Sequence, residues 1–212
     1  MMTPVWQFWF NWVVQLAIAI GTLGAVIVAL FGHWLRSHVA PPQLKLSLSD
    51  ARGVRTPTTL IAPDGTTRQT ESRWYHVRVE NQRRWSPATQ VQVYLLRIEE
   101  PDASGQYKLT WVGEIPIKWR DQEVHALSRT IGYAADCDLC SVVKEKWIEI
   151  HPLIPLIAIR AQRRGECHMI LTLQARSIET DSSLLRVKID WNGEWAEDSQ
   201  EMARRMVVEI VT

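Results

Sequence analysis

The sequence predicts a mainly β protein, an antiparallel β-sandwich preceded by one N-terminal transmembrane α-helix. Three observations carry that prediction. Trp12 to Phe31 is a run of twenty residues without a charge. No Lys, Arg, Asp or Glu occurs before Arg36, although the chain holds 24 basic and 23 acidic residues. After Pro42, apolar and polar residues alternate in short runs bounded by turn residues, and no long 3.6-residue period appears.

The apolar run comes first. An α-helix rises ~1.5 Å per residue, so twenty residues cover the ~30 Å hydrocarbon core of a bilayer. We therefore expect an aromatic interfacial segment over residues 1–11, a transmembrane helix over 12–35, a linker over 36–43 and the sandwich over 44–212. Trp6, Phe8, Trp9, Phe10 and Trp12 suit a belt at headgroup level, and Trp34 suits the far boundary. The segment lacks the basic start and the A-x-A-like site of a cleaved signal peptide, which predicts an uncleaved anchor. Arg36, Lys45, Arg52 and Arg55 follow the span, and no Lys or Arg precedes it. The positive-inside rule then predicts a single-pass protein, its N-terminus outside and its C-terminal domain cytoplasmic. Ala17, Gly21, Ala25 and Ala29 recur every four residues. Such a stripe lets helix backbones approach, for self-association or a membrane-protein partner, although Gly and Ala are also simply common in membrane helices.

Ala40-Pro41-Pro42 stops the helix. Leu44, Leu46 and Leu48 then alternate as in a strand. Residues 51–72, rich in Thr, Arg, Pro and Gly around Pro63-Asp64-Gly65, read as a long loop or irregular hairpin. Tyr75, Val77 and Val79 face one way, with His76, Arg78 and Glu80 opposite; Val91, Val93 and Leu95 repeat the pattern. Pro101 to Gly105 forms a turn before a strand at Tyr107, Leu109 and Trp111, with another expected at Ile115–Trp119. Trp147–Ile150, Met169–Leu173, Leu185–Trp191 and Met206–Ile210 complete the strand set. Asn192-Gly193, between Trp191 and Trp195, signals a type I′ hairpin. Glu197–Arg205 reads as a short helical turn capped by Asp198 or Ser199. Eight or nine short strands argue for a sandwich.

The stretch WYHVRVENQRRWSPATQVQVYLLRI resembles the strand-turn-strand core of bacterial immunoglobulin-like modules named for cell adhesion. In those modules a strand ending in Asn is followed by a turn, an Ala and a second strand of alternating Val. Asn81, Ala88, Val91 and Val93 stand in those places, over about 25 residues. The turn departs from the pattern, with Gln82-Arg83-Arg84-Trp85 where the modules carry Gly after the Asn. The resemblance implies an immunoglobulin-like sandwich with a binding role and brings no catalytic residue with it.

Cys137-Asp138-Leu139-Cys140 is the sharpest local motif. Two thiolates at this spacing can share a metal ion or cycle as a redox pair, or the motif can be structural. Zinc would need further ligands, for which Cys167, His168, His125 and His151 are the candidates. Cys167 and His168, as neighbours in a strand, point to opposite faces. A thioredoxin-like βαβ pattern is missing.

The eleven tryptophans are the other excess. A sandwich core absorbs one or two of them. Trp85 and Trp195 flank turns, and Arg83-Arg84-Trp85 is the candidate partner-binding patch, since such surfaces enrich Trp and Arg; anionic headgroups are an alternative contact. Net charge is +1, which argues against a nucleic-acid footprint. Three cysteines and no Asn-X-Ser/Thr sequon fit a cytosolic domain. G-x-S-x-G, HExxH and phosphate-cradling Gly loops are all missing. The expectation is a membrane-anchored, non-enzymatic interaction module that binds a protein partner or its own copies. The alternative is a tethered metal or thiol-redox module built on Cys137 and Cys140.

Overall fold

A computed structural model of the chain describes residues 4–61, 65–120, 127–144 and 147–211, with only the backbone of 4–5 and 33–39. It forms two compact units, Met1–Pro41 and Pro42–Thr212. The first is one helix, α1 (Pro4–Val39). It is long and apolar enough to span a membrane between Trp6 and Gly32. The helix starts at Pro4 rather than Trp12 and runs through 36–39, so residues 4–11 of the expected interfacial segment and half of the expected linker are helical. Proline suits a first helical position, where no N–H is needed. Residues before a proline avoid the helical region, which ends α1 before Pro41.

The second unit is mainly β, with strands β1 (Leu44–Leu48), β2 (Val54–Ile61), β3 (Thr67–Asn81), β4 (Ala88–Pro101), β5 (Tyr107–Pro116) and β6 (Arg129–Ile131). These are followed by β7 (Ala134–Val143), β8 (Trp147–Ile150), β9 (Gln162–Arg164), β10 (Cys167–Arg176), β11 (Leu185–Trp191) and β12 (Met206–Val211). A short helix, α2 (Ser199–Arg205), precedes β12. One sheet has the order β1-β3-β7-β8-β9, with β2 also on β3; the other is β12-β11-β10-β4-β5, with β6 also on β4. All pairs are antiparallel. The inner faces meet in one core that joins Tyr75, Val77, Val79 and Cys140 to Val93, Leu171, Val187 and Trp191.

Long β3 is shared along one edge: β2 pairs with its residues 67–74 and β1 with 77–81. Of the two readings of residues 51–72, loop or irregular hairpin, the hairpin is the one formed; its Pro63-Asp64 turn lies outside the described residues. As an edge strand, β2 carries polar residues on both faces and tolerates Pro57, which cannot donate to a ladder. Ile115–Trp119 is not a separate strand. β5 runs through Pro116, and the chain then crosses between sheets: Ile117 N–H donates to Val93 in one, Arg120 N–H to Asp136 in the other, at 2.9 Å each. Asn192-Gly193 makes a turn but no hairpin. β11 pairs with β12 across α2, Trp191 opposite Met206. Gly193 has φ +82, and a Cβ there would lie 2.9 Å from the Glu166 nitrogen, so glycine is required twice over. Asp198 caps α2, accepting from the Gln200 and Glu201 N–H groups.

Candidate functional site

The cysteine motif lies in β7, a strand that alternation alone does not reveal. Tyr75 of β3 is opposite Cys140, and His76 is opposite Asp138, so Leu139 is an extra residue in a β-bulge. Residues three apart in a regular strand point to opposite faces; the bulge returns Cys137 and Cys140 to the same face, opposite Val77 and Tyr75. That face is the core. Cys137, Cys140 and Cys167 are all free and buried. Burial pushes each thiol above its usual range, most strongly at Cys137 and Cys140. Protonated, enclosed sulfur is a poor nucleophile and a poor metal ligand. Among the described residues, no three His, Cys, Asp or Glu side chains are grouped to hold a metal ion. His125 lies outside the described residues. His168 turns away from the core, its ring nitrogens 3.0 Å from Asp190 and 2.8 Å from Glu166.

The opposite face of the β3–β7 pair carries a polar cluster. Arg78 holds Asp136 through two hydrogen bonds, at 2.9 and 3.2 Å, and Ser49 adds a third at 2.6 Å. Burial raises the Asp136 pKa, but these bonds prevail and hold it below the usual carboxylate range. Asp138 lies 3.4 Å from His76. His151 stacks on Trp74 with ring centroids 4.3 Å apart, and its Nε2 is 2.8 Å from the Ser141 hydroxyl. Burial lowers the His151 pKa to about 4, against the pull of Asp138, so the imidazole is neutral at physiological pH. A neutral imidazole beside a hydroxyl is the pairing that activates a serine nucleophile. Here Ser141 is 2% exposed and His151 7%, under the Trp74 ring. The trio fastens the chain beyond β8 onto the sheet instead of presenting a nucleophile. The adjoining groove, lined by Thr56, Trp74, His76, Arg120 and Asp138, holds about 250 Å³. That is below the ~300–1,000 Å³ of small-molecule sites.

Two exposed surfaces among the described residues bear on binding. At the β3–β4 turn, Asn81 is buried and organises the backbone: its Oδ1 accepts from Gln43 N–H and Arg83 N–H, and its Nδ2 donates to the Ser86 and Ile131 carbonyls. The turn then projects Trp85, 62% exposed, and lays the Arg84 guanidinium over the Tyr133 ring at 4.1 Å. Of the three residues read from the sequence, Arg84 and Trp85 are exposed and Arg83 is half-buried beside them. Trp195, the other tryptophan beside a turn, packs on the core instead.

The second surface is the strap between β8 and β9, Pro152 to Arg160. Leu153 N–H donates to Pro116 at 2.7 Å, and Ile159 is buried at the other end. Between them Ile154 and Leu156 are exposed and Ile157 is 97% exposed. The sequence carried a signal for it, since an apolar run broken by Pro152 and Pro155 cannot be a central strand. On α1, Ala17, Gly21, Ala25 and Ala29 are exposed, and a Cβ added at Gly21 meets nothing within 4 Å. Compared with known proteins, the chain matches no family model and no curated sequence.

Proposed function

We propose that this protein is a membrane-anchored, non-enzymatic interaction module whose immunoglobulin-like domain binds a protein partner from the cytoplasmic side. The strand order supports the immunoglobulin-like reading. β1-β3-β7 follows the A-B-E order, and residues 118–120, bonded to the far edge of β7, take the place of strand D. β11-β10-β4-β5 follows G-F-C-C′, with β2, β6, β8, β9 and β12 as additions. Arg36, Lys45, Arg52 and Arg55 support the orientation.

The observation that carries the binding role is the strap. Ile154, Leu156 and Ile157 are held out to solvent by a segment pinned at both ends, and exposed clustered apolar side chains mark interaction sites. In intact cells carrying a photo-crosslinking residue at Ile157, the domain should resist externally added protease and yield one discrete adduct. That adduct is either a second copy or another protein, and Leu156→Ser should abolish it. Proteolysis from outside would refute the orientation. No adduct above that from a probe at Ser104 would refute the strap as the binding surface.

A further inference from the structure

We infer that the end of the sandwich where β1 begins is a lipid-docking surface, on which Trp85, Tyr133 and Ile178 seat among the headgroups of an anionic leaflet with Arg84 against their phosphates. The inference rests on the reading of α1 as a membrane anchor.

Three loops converge at this end. The β3–β4 turn is tied to the start of the sandwich by Gln82 N–H to the Gln43 carbonyl, 2.9 Å. The β6–β7 connection joins it through Asn81 N–H to the Tyr133 carbonyl, 2.7 Å. The β10–β11 loop joins through Ile178 N–H to the Thr89 carbonyl, 3.3 Å. The loops contribute large exposed side chains: Trp85, Tyr133 (60%) and, from the β10–β11 loop, Ile178 (67%) with Leu184. Separate loops from both sheets thus place amphipathic rings and an isoleucine at one pole.

The chemistry matches a headgroup layer more closely than a protein groove. Trp and Tyr are the residues enriched at membrane–water boundaries, and arginine meets phosphate oxygens with a planar fork. The Arg84 guanidinium is already spread over the Tyr133 ring, so ring and cation would meet the surface together. Of the acidic groups nearby, Glu179 accepts from both the backbone and the hydroxyl of Thr89, Glu80 shares a register position with Lys45, and Asp181 lies exposed in the same loop as Ile178. The tether commits the partner. Residues 33–39 carry the helix ~10 Å beyond the apolar span and 40–43 extend at most ~14 Å further, so an anchored chain keeps this pole within reach of the bilayer.

The test uses the full chain in nanodiscs of phosphatidylserine and phosphatidylcholine containing a headgroup-labelled nitroxide lipid. A fluorophore is attached through Ile178→Cys, or through Ser104→Cys in the β4–β5 turn at the opposite pole; the native thiols are buried. Fluorescence at position 178 should be quenched roughly two- to three-fold more than at 104, and less strongly in phosphatidylcholine alone. Arg84→Glu with Trp85→Ser should lower quenching at position 178, leaving only the excess over 104 that the short tether imposes. Equal quenching at both positions, or quenching at 178 unchanged in the double variant, would overturn the docking surface. A chain that fails to co-purify with the discs refutes the anchor; one that co-purifies while 178 remains unquenched refutes the docking alone.

Discussion

His151 shows how a residue's role follows from what it is packed against. By itself it is one of six histidines and a conceivable zinc ligand; in the fold it is a neutral ring between the Trp74 indole and the Ser141 hydroxyl. Its partners are ten and seventy-seven positions away, which no local pattern encodes. The consequence is a pH dependence of definite sign. Burial takes its pKa from 6.5 to about 4, although the charges on Asp138, Lys118 and His76 also act on it. Below pH 6.5 the unfolded chain gains a proton that the fold refuses. Stability is therefore full above pH 6.5 and declines as pH falls toward 4, by roughly 2–3 kcal/mol at the bottom. His168 acts in the opposite direction: hydrogen bonds to Asp190 and Glu166 raise its pKa, so its contribution is present at low pH and fades as pH rises through that value. Urea midpoints of wild type and His151→Asn should converge between pH 7.5 and 4.5. Parallel curves would mean that the imidazole is not the group being titrated.

At the level of elements, legibility tracked regularity. β11 could be bounded from sequence at both ends because its burial alternates without a break from Leu185 to Trp191. The α2 cap was readable because Asp198 acts on N–H groups two and three residues ahead. β7 was not readable, since the extra Leu139 puts the alternation of Asp136 and Asp138 out of step with Ser141. The same defect produced the apparent metal motif: without the bulge, one of the two cysteines would face outward. Burial in a well-packed core predicts that Cys140→Ser destabilises the domain by about 1–3 kcal/mol, the cost of a hydroxyl without a partner. It also predicts that the native thiols react with a maleimide only under denaturing conditions. A stable Cys140→Ser protein with rapid native labelling would restore the reactive-thiol reading.

At the scale of the whole chain, sequence and structure agree most closely on an apolar helix, uncharged up to Arg36, followed by a charged β domain, because that contrast is written in composition rather than in contacts. Which surfaces the two parts offer was less visible. The patch at Trp85 could be named from its residues, whereas for the strap Pro152 and Pro155 exclude a central strand without showing that Ile154, Leu156 and Ile157 are exposed. On α1, the open space around Gly21 means that Gly21→Leu with Ala25→Leu leaves the helix itself undisturbed. If the Ala17–Ala29 face joins copies, that double variant should reduce single-molecule energy transfer between labelled chains in a bilayer to the level of random encounters. Unchanged transfer would remove the stripe as a contact face. The clamp on Gln43 has a mechanical consequence. Its N–H is held by the Asn81 side chain at 3.2 Å and its carbonyl by Gln82 at 2.9 Å. Any pull or twist that travels along the tether must break both bonds before it reaches the first rung of β1, where Leu44 pairs with Asn81. Asn81 is thus the strain relief of the molecule, the knot that keeps motion of the preceding chain from unravelling the seam behind it.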